Sequence, residues 1–331
     1  MIITKLGKAP RGGKRYENIE PTAVMPKDVS FFDLIKAYVN ASKLTKPSRQ
    51  FVTDKADLHH LVDDEPVVVW FGHSSYLISH KGFKVLVDPV LFGPASPVSF
   101  IGHGFTGTTI YTPEDFPEID LLIITHDHYD HLSYETVLAL KGKIKNIITS
   151  AGVQSHLNYW GFDSSIITAL DWHQSSALNS TVTVTAFPAR HFSGRFLTRG
   201  KTLWSSFVLE LNGVKIFIGG DSGYDKQFKI IGNTHGPFDM AFIECGQYNK
   251  NWPEIHMFPE QTAQAATDLK TTVLLPVHWG KFVLSVHAWN DPIKRLMAVA
   301  PDKNYQVVTP MLGEVYTLGK EIKNKEWWNF E

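Results

Sequence analysis

Residues 121–132 read Leu-Leu-Ile-Ile-Thr-His-Asp-His-Tyr-Asp-His-Leu, an apolar run followed at once by groups that bind metals. In an extended segment alternate side chains share a face, so His126 and His128 are expected to point at one spot. Asp130 and His131 come just before Ser133-Tyr134-Glu135-Thr136-Val137-Leu138, which reads as the start of a helix. The turn into that helix would swing the second pair toward a neighbouring point. Imidazole nitrogens and carboxylates suit zinc, iron, manganese or nickel. Two pairs fed from one strand end imply two metals close together.

His-x-His-x-Asp-His after an apolar strand resembles the signature of the metallo-β-lactamase superfamily. Three further groups follow strand-like segments in the order that this resemblance requires: His191 in Phe187-Pro188-Ala189-Arg190-His191, Asp221 in Ile218-Gly219-Gly220-Asp221-Ser222-Gly223-Tyr224, and His278 in Leu275-Pro276-Val277-His278-Trp279-Gly280. Trp70-Phe71-Gly72-His73-Ser74-Ser75 and Val87-Asp88-Pro89 narrow the likeness to the branch of N-acyl-phosphatidylethanolamine-hydrolysing phospholipase D and its bacterial relatives. The ascorbate-6-phosphate lactonase branch shares part of the pattern.

The resemblance covers about residues 66–300 and implies an α+β fold, a four-layer αβ/βα sandwich. It also implies a ligand set. His126, His128 and His191 would hold a first divalent metal, and Asp130, His131 and His278 a second, with Asp221 bridging them. Zinc is the first expectation, manganese or iron the next. Two cations about 4 Å apart repel, so a shared carboxylate and a shared hydroxide are needed between them. That hydroxide is the expected nucleophile, because a bound metal lowers the pKa of water from about 15.7 toward 7. Gly219–Gly223 lacks the lysine and spacing of a phosphate-binding P-loop, so the bridging role is the better reading of Asp221.

Other residues enter through the same resemblance. Asp127 should point away from its neighbours in an extended strand, yet the superfamily places it near the metals, behind the ligands or as a proton-handling group, so it is taken as catalytic, with a simple structural hydrogen bond as the alternative. Asp88 is expected to orient a ligand histidine, and His73 to sit behind the ligands. His256 matches a histidine lining the phospholipase substrate site and is expected to donate to the leaving group or phosphate. Substrate contacts are expected from the Gly/Pro-rich loop Phe92–Phe105, with Trp160, Trp172, Trp204, Trp252 and Trp279 as further walls.

These side chains need rigid elements to hold them. Strands are expected near 67–71, 75–79, 83–88, 120–125, 146–149 and 166–169, with helices near 133–141 and 151–159. A second series covers 181–187, then 202–211 and 214–219 joined by the hairpin signal Asn212-Gly213, then 239–244 and 272–276. A helix opens at Pro259-Glu260, another covers 291–299, and a closing hairpin is expected over 305–318. Ahead of this body, 66–331, lies a segment 1–65. It holds an irregular surface arm over 8–30, an amphipathic helix over 31–42 packed on the body, and a polar linker over 43–65. A peripheral membrane contact through that helix is the weaker reading.

Composition bounds the rest. The 331 residues are 43% hydrophobic and 20% charged, ample for a core, and the formal net charge is −1. No basic field exists to attract nucleic acid. The single cysteine, Cys245, excludes an intramolecular disulfide. No run of about 18 apolar residues offers a membrane span, and the first residues lack a signal-peptide core, so the cytoplasm is the default expectation. The leading functional expectation is a phosphodiesterase acting on a small-molecule or phospholipid-like substrate. A lactone, carboxylic ester or amide hydrolase comes next, and a non-catalytic metal- or lipid-binding module last.

Overall fold

The computed structural model describes residues 8–25, 33, 36, 40–98, 100–322 and 326–330. The helix expected over 31–42 lies almost wholly outside the described residues. Fourteen strands make the two main sheets. The first half of the chain gives β1 Val67–Trp70, β2 Tyr76–His80, β3 Phe83–Val87, β4 Leu121–Ile124, β5 Ile147–Ser150 and β6 Ile167–Leu170. The second half gives β7 Ser175–Ala177, β8 Val182–Pro188, β9 Ser205–Leu211, β10 Val214–Ile218, β11 Phe238–Glu244, β12 Thr271–Val277, β13 Gln306–Val307 and β14 Val315–Thr317. Spatial order is β14-β1-β2-β3-β4-β5-β6 in one sheet and β13-β12-β11-β10-β9-β8-β7 in the other.

The apolar runs have no polar alternation because both faces of each sheet are covered. Leu121 and Ile123 of β4 join Phe207, Phe217 and Phe242 in the core between the sheets. Their neighbours Leu122 and Ile124 turn outward, against Val137 of α1 (Tyr134–Ala139) and Leu157 of α2 (Gln154–Tyr159). The second sheet is covered by α3 (Gln227–Thr234), α4 (Pro259–Leu269) and α5 (Asp291–Val299), through Phe228, Ile231, Ala266, Leu269, Ile293 and Leu296. Burying each such large side chain contributes about 1.5–3 kcal/mol. Helix, sheet, sheet, helix is the sandwich expected from the resemblance.

Strand direction positions the site. β3, β4 and β5 run parallel, and so do β10, β11 and β12. Two antiparallel pairings bring β1 into the sense of β3, and two bring β8 into the sense of β10. The C-terminal ends of β1, β3, β4, β8, β10, β11 and β12 therefore collect at one edge of each sheet, where loops can bear function on a rigid base.

Two expectations need correction here. The closing hairpin over 305–318 does not form: β13 pairs parallel with β12, while β14 crosses over and pairs antiparallel with β1. The arm is also less superficial than its composition suggests. Arg11–Gly12 and Arg15–Tyr16 make a small hairpin, and Ala9 and Tyr16 are buried with Trp172, Ala189, Leu203 and Trp204. The linker likewise sends Phe51 and Leu58 into the body, Phe51 with its ring 4.8 Å from that of Trp289.

Candidate metal centre

Several strand ends at this edge turn sharply as they leave their sheets. His73, Asp88 and His278 all have positive φ, at 54°, 39° and 67°. Such backbone is strained for residues with a side chain and clusters where function requires it. Gly220, with φ of +60°, has no alternative: a Cβ there would lie 3.0 Å from Thr125 Cβ and 3.1 Å from the Ser205 carbonyl oxygen.

Three groups of ligand atoms converge. His126, His128, His191 and Asp221 form one, His73, Asp130, His131 and His278 a second, and Asp221, Glu244, His256 and His278 a third, the atoms of each group lying within 4.8 Å of one another. Asp221 faces the first two from one carboxylate. Its Oδ2 is 3.7 Å from His126 Nε2, 3.7 Å from His191 Nε2 and 3.1 Å from His131 Nε2, and its Oδ1 is 3.0 Å from His278 Nδ1. All seven side chains assigned as ligands from the sequence are thus brought together.

The outward ring nitrogens are tied down, which selects the tautomer. His131 Nδ1 donates to Asp88 Oδ2 at 2.7 Å, and His191 Nδ1 to the Ile255 carbonyl at 2.9 Å. His126 Nδ1 donates to Thr125 Oγ1 at 3.0 Å, and that hydroxyl donates to Asp88 at 2.6 Å. Each leaves an Nε2 lone pair directed inward, the arrangement metal-binding histidines use. His128 presents Nδ1 instead, 3.0 Å from His126 Nε2 and 3.2 Å from His191 Nε2. Asp88 thereby holds the outward nitrogen of His131. His73 Nε2 lies 3.0 Å from Asp130 Oδ2, so His73 is in direct contact with a member of the second group.

Electrostatics favour cations here. Burial holds His126 and His191 well below the usual imidazole range and His128 below it, and it pushes His278 down to about 3. Uncharged rings result, and the facing nitrogens of His126, His128 and His191 lie about 3 Å apart. Burial raises Asp221 and Asp130, but neighbouring histidines, His131 foremost, outweigh it and hold both carboxyls well below their usual range. His131 is pulled well above its usual range, because Asp221, Asp130 and Asp88 outweigh its burial. Its Nε2 and Asp221 Oδ1 are buried and, although 3.1 Å from Asp221 Oδ2 and 3.0 Å from His278 Nδ1, make no well-aligned hydrogen bond. Buried polar atoms are rarely left so. Divalent cations would satisfy both, so the residues fit a metal pair.

The site opens into a cleft of about 420 Å³, floored by His128, Asp130, Asp221, His256 and His278. Val24, Met25, Phe192, Trp252, Ile255 and Leu284 give it apolar walls. His256 borders this cleft, and its Nδ1 lies 2.7 Å from Glu244 Oε2. Glu244, wholly buried at the end of β11, escaped the sequence reading; its Oε1 accepts from the Ser222 and Met257 amides. Burial raises Glu244 to about 7, while Glu244 outweighs burial to lift His256 to about 9.

Asp127 is a correction. It lies past the end of β4 at Ile124, and its side chain is engaged away from its histidine neighbours. Its carboxylate accepts from the Gly194 amide at 2.7 Å and Thr202 Oγ1 at 2.8 Å, and lies 3.2 Å from His156 Nε2. It fastens the loop after His191 and stands outside both ligand groups. The loop Phe92–Phe105 is another: Phe100–Phe105 lines a separate groove with Lys46–Gln50. Of the proposed tryptophans, Trp252 alone borders the cleft, and Trp172, Trp204 and Trp279 are buried.

Residues 84–279 match the β-lactamase superfamily domain. The chain belongs to that superfamily. A protein of Mycobacterium tuberculosis described as uncharacterized is 36% identical over 95% of this chain and 85% of its own. N-acyl-phosphatidylethanolamine-hydrolyzing phospholipase D 1 of Caenorhabditis elegans is 27% identical over 94% of this chain and 95% of its own. Among solved structures, a metallo hydrolase of Ignicoccus hospitalis superposes with a TM-score of 0.58 at 20% identity, covering 77% of this chain and 99% of its own. The superfamily member described here is an enzyme, a metal-dependent hydrolase. Among the described residues no helix is long and apolar enough to cross a membrane.

Proposed function

We propose that the chain is a dinuclear phosphodiesterase of the N-acyl-phosphatidylethanolamine phospholipase D type. The observation that carries the dinuclear reading is Asp221, one carboxylate in reach of both ligand groups at the floor of an apolar cleft. The nematode phospholipase, alike over nearly its whole length, supports the substrate class. His126, His128 and His191 would hold one cation, Asp130, His131 and His278 the other, and Asp221 both. Bound there, the pair would lower the pKa of water toward 7 and neutralise charge on the phosphoryl oxygens.

The chain's own residues do the rest. Asp88, Thr125 and the Ile255 carbonyl hold the ligand rings, so little reorganisation is left for the reaction itself. His256, steadied by Glu244 and bordering the cleft, holds a proton that can pass to the departing alcohol oxygen, and Glu244 then faces a neutral imidazole. The apolar walls exclude water around the lipid portion of the substrate.

The test is a hydrolysis screen with zinc-, manganese- or iron-reconstituted protein over phosphodiesters, N-acyl-phosphatidylethanolamine, lactones and β-lactams. Phosphatidic acid released from the phospholipid is the expected result. Turnover of lactones or esters alone would overturn the substrate class, and full activity at one metal per chain would overturn the dinuclear reading.

A further inference from the structure

The matched superfamily domain begins at residue 84, yet a segment near the N-terminus reaches the centre of the site. Asn18 grips the backbone of His191 on both sides: its Nδ2 donates to the His191 carbonyl at 2.7 Å, and its Oδ1 accepts from the His191 amide at 3.1 Å. Arg190 then donates to Thr22 Oγ1 and to the Pro21 carbonyl, both at 3.1 Å. The Ala23 amide donates to Glu254 Oε2 at 2.5 Å, and Glu254 Oε1 pairs with Arg190 at 3.2 Å. Residues 18–23 therefore form a strap tied both to the loop bearing the ligand His191 and to the loop bearing His256. Val24 and Met25 emerge from that clamp onto the cleft wall.

Met25 is 36% exposed, and it faces a cleft whose apolar walls include Phe192, Trp252, Ile255 and Leu284, with Arg199 and Gln247 also on its lining. An open apolar trough beside a charged floor suits a ligand with an anionic centre and a hydrocarbon tail. We propose that the N-terminal strap supplies the acyl-chain wall of the substrate site, with Val24 and Met25 as its specificity-determining residues. This inference rests on the phosphodiesterase reading for its anionic centre. Selectivity for the lipid then resides in a segment outside the superfamily domain, while the ligand set resides within it. Each methylene moved from water to such a wall strengthens binding about four-fold, so a chain of a few carbons is enough to reveal it.

The experiment compares dodecylphosphocholine, below its micelle concentration, with glycerophosphocholine as calorimetric probes of the zinc-loaded full chain. In the double variant Val24→Ser with Met25→Ser, affinity for the dodecyl probe should fall at least ten-fold more than affinity for the glycerol probe. Met25→Trp, which fills the trough without making it polar, should move the preferred chain toward shorter lengths in a series of alkyl phosphocholines. Equal losses for both probes, or no loss for either, would overturn the inference. Selective loss of the dodecyl probe in a protein that turns over no phosphodiester would retain the acyl wall and reject the phospholipase reading.

Discussion

The first sheet delivers His126, His128, Asp130 and His131 from one short loop, 126–131, whereas the second delivers His191, Asp221, Glu244 and His278 from the ends of four different strands. The first set depends on local backbone geometry and on Asp88 and Thr125 close behind it. The second depends on β8, β10, β11 and β12 being in correct register, and so on the packing of half the molecule. Asp221 is where the two constructions meet. A site made this way has a preformed half that the chain writes locally and a half that exists only when the sandwich is complete.

The strongest test of that division is Asp221→Ala. Removing a ligand from both groups leaves the cations' repulsion uncompensated, so its loss of activity should exceed that of any single histidine-to-alanine variant among the seven ligands. Kinetics with parallel elemental analysis decide it, and retained activity with both sites filled would remove Asp221 from its junction. His256→Ala should come next, lowering kcat about 10²–10⁴-fold, as loss of a positioned proton donor does. Metal content should stay nearly constant, and the defect should shrink for substrates with good leaving groups. A fall in metal stoichiometry would instead make His256 a ligand of the second sheet.

Asp88→Ala acts from behind the first sheet's loop. Loss of such an outer partner typically costs about 10–100-fold in metal affinity or activity, and competition with a chelator should show the weakening at His131's group before the other. Asp127→Asn should have the smallest effect on kcat, less than about ten-fold, because the residue fastens Gly194 and Thr202 outside both ligand groups. A loss of 10²-fold or more with unchanged melting would restore it to the catalytic machinery.

The same contrast explains what the sequence made legible. The 126–131 loop announces its chemistry because extended alternation and a helix start are local rules. His191, Asp221 and His278 are ordinary residues after apolar runs, and their meaning came from the resemblance. Glu244 had a usable signal: it closes an apolar run, as the residues leading to the other ligands do, and a carboxylate there belongs at the shared edge. The supposed hairpin over 305–318 failed because Val315–Thr317 finds its partner at Val67–Val69, which short-range pattern cannot register. The loop Phe92–Phe105 misled because Gly, Pro and aromatics mark a surface groove as readily as a catalytic one. The strap's contact with His191 is equally non-local, made by one asparagine in a segment rich in turn formers.

The crossing of β14 to the first sheet bears on how the protein is made. While the ribosome is still translating the second half, β1 is an uncovered edge strand, Val-Val-Val-Trp, with its backbone groups free to pair with another chain. Only when residue 317 has emerged can that edge be sealed, so nascent or C-terminally clipped molecules carry an adhesive border that finished ones lack. Trimming the chain before Val315 should therefore cost yield through aggregation more than it costs catalysis in the molecules that survive.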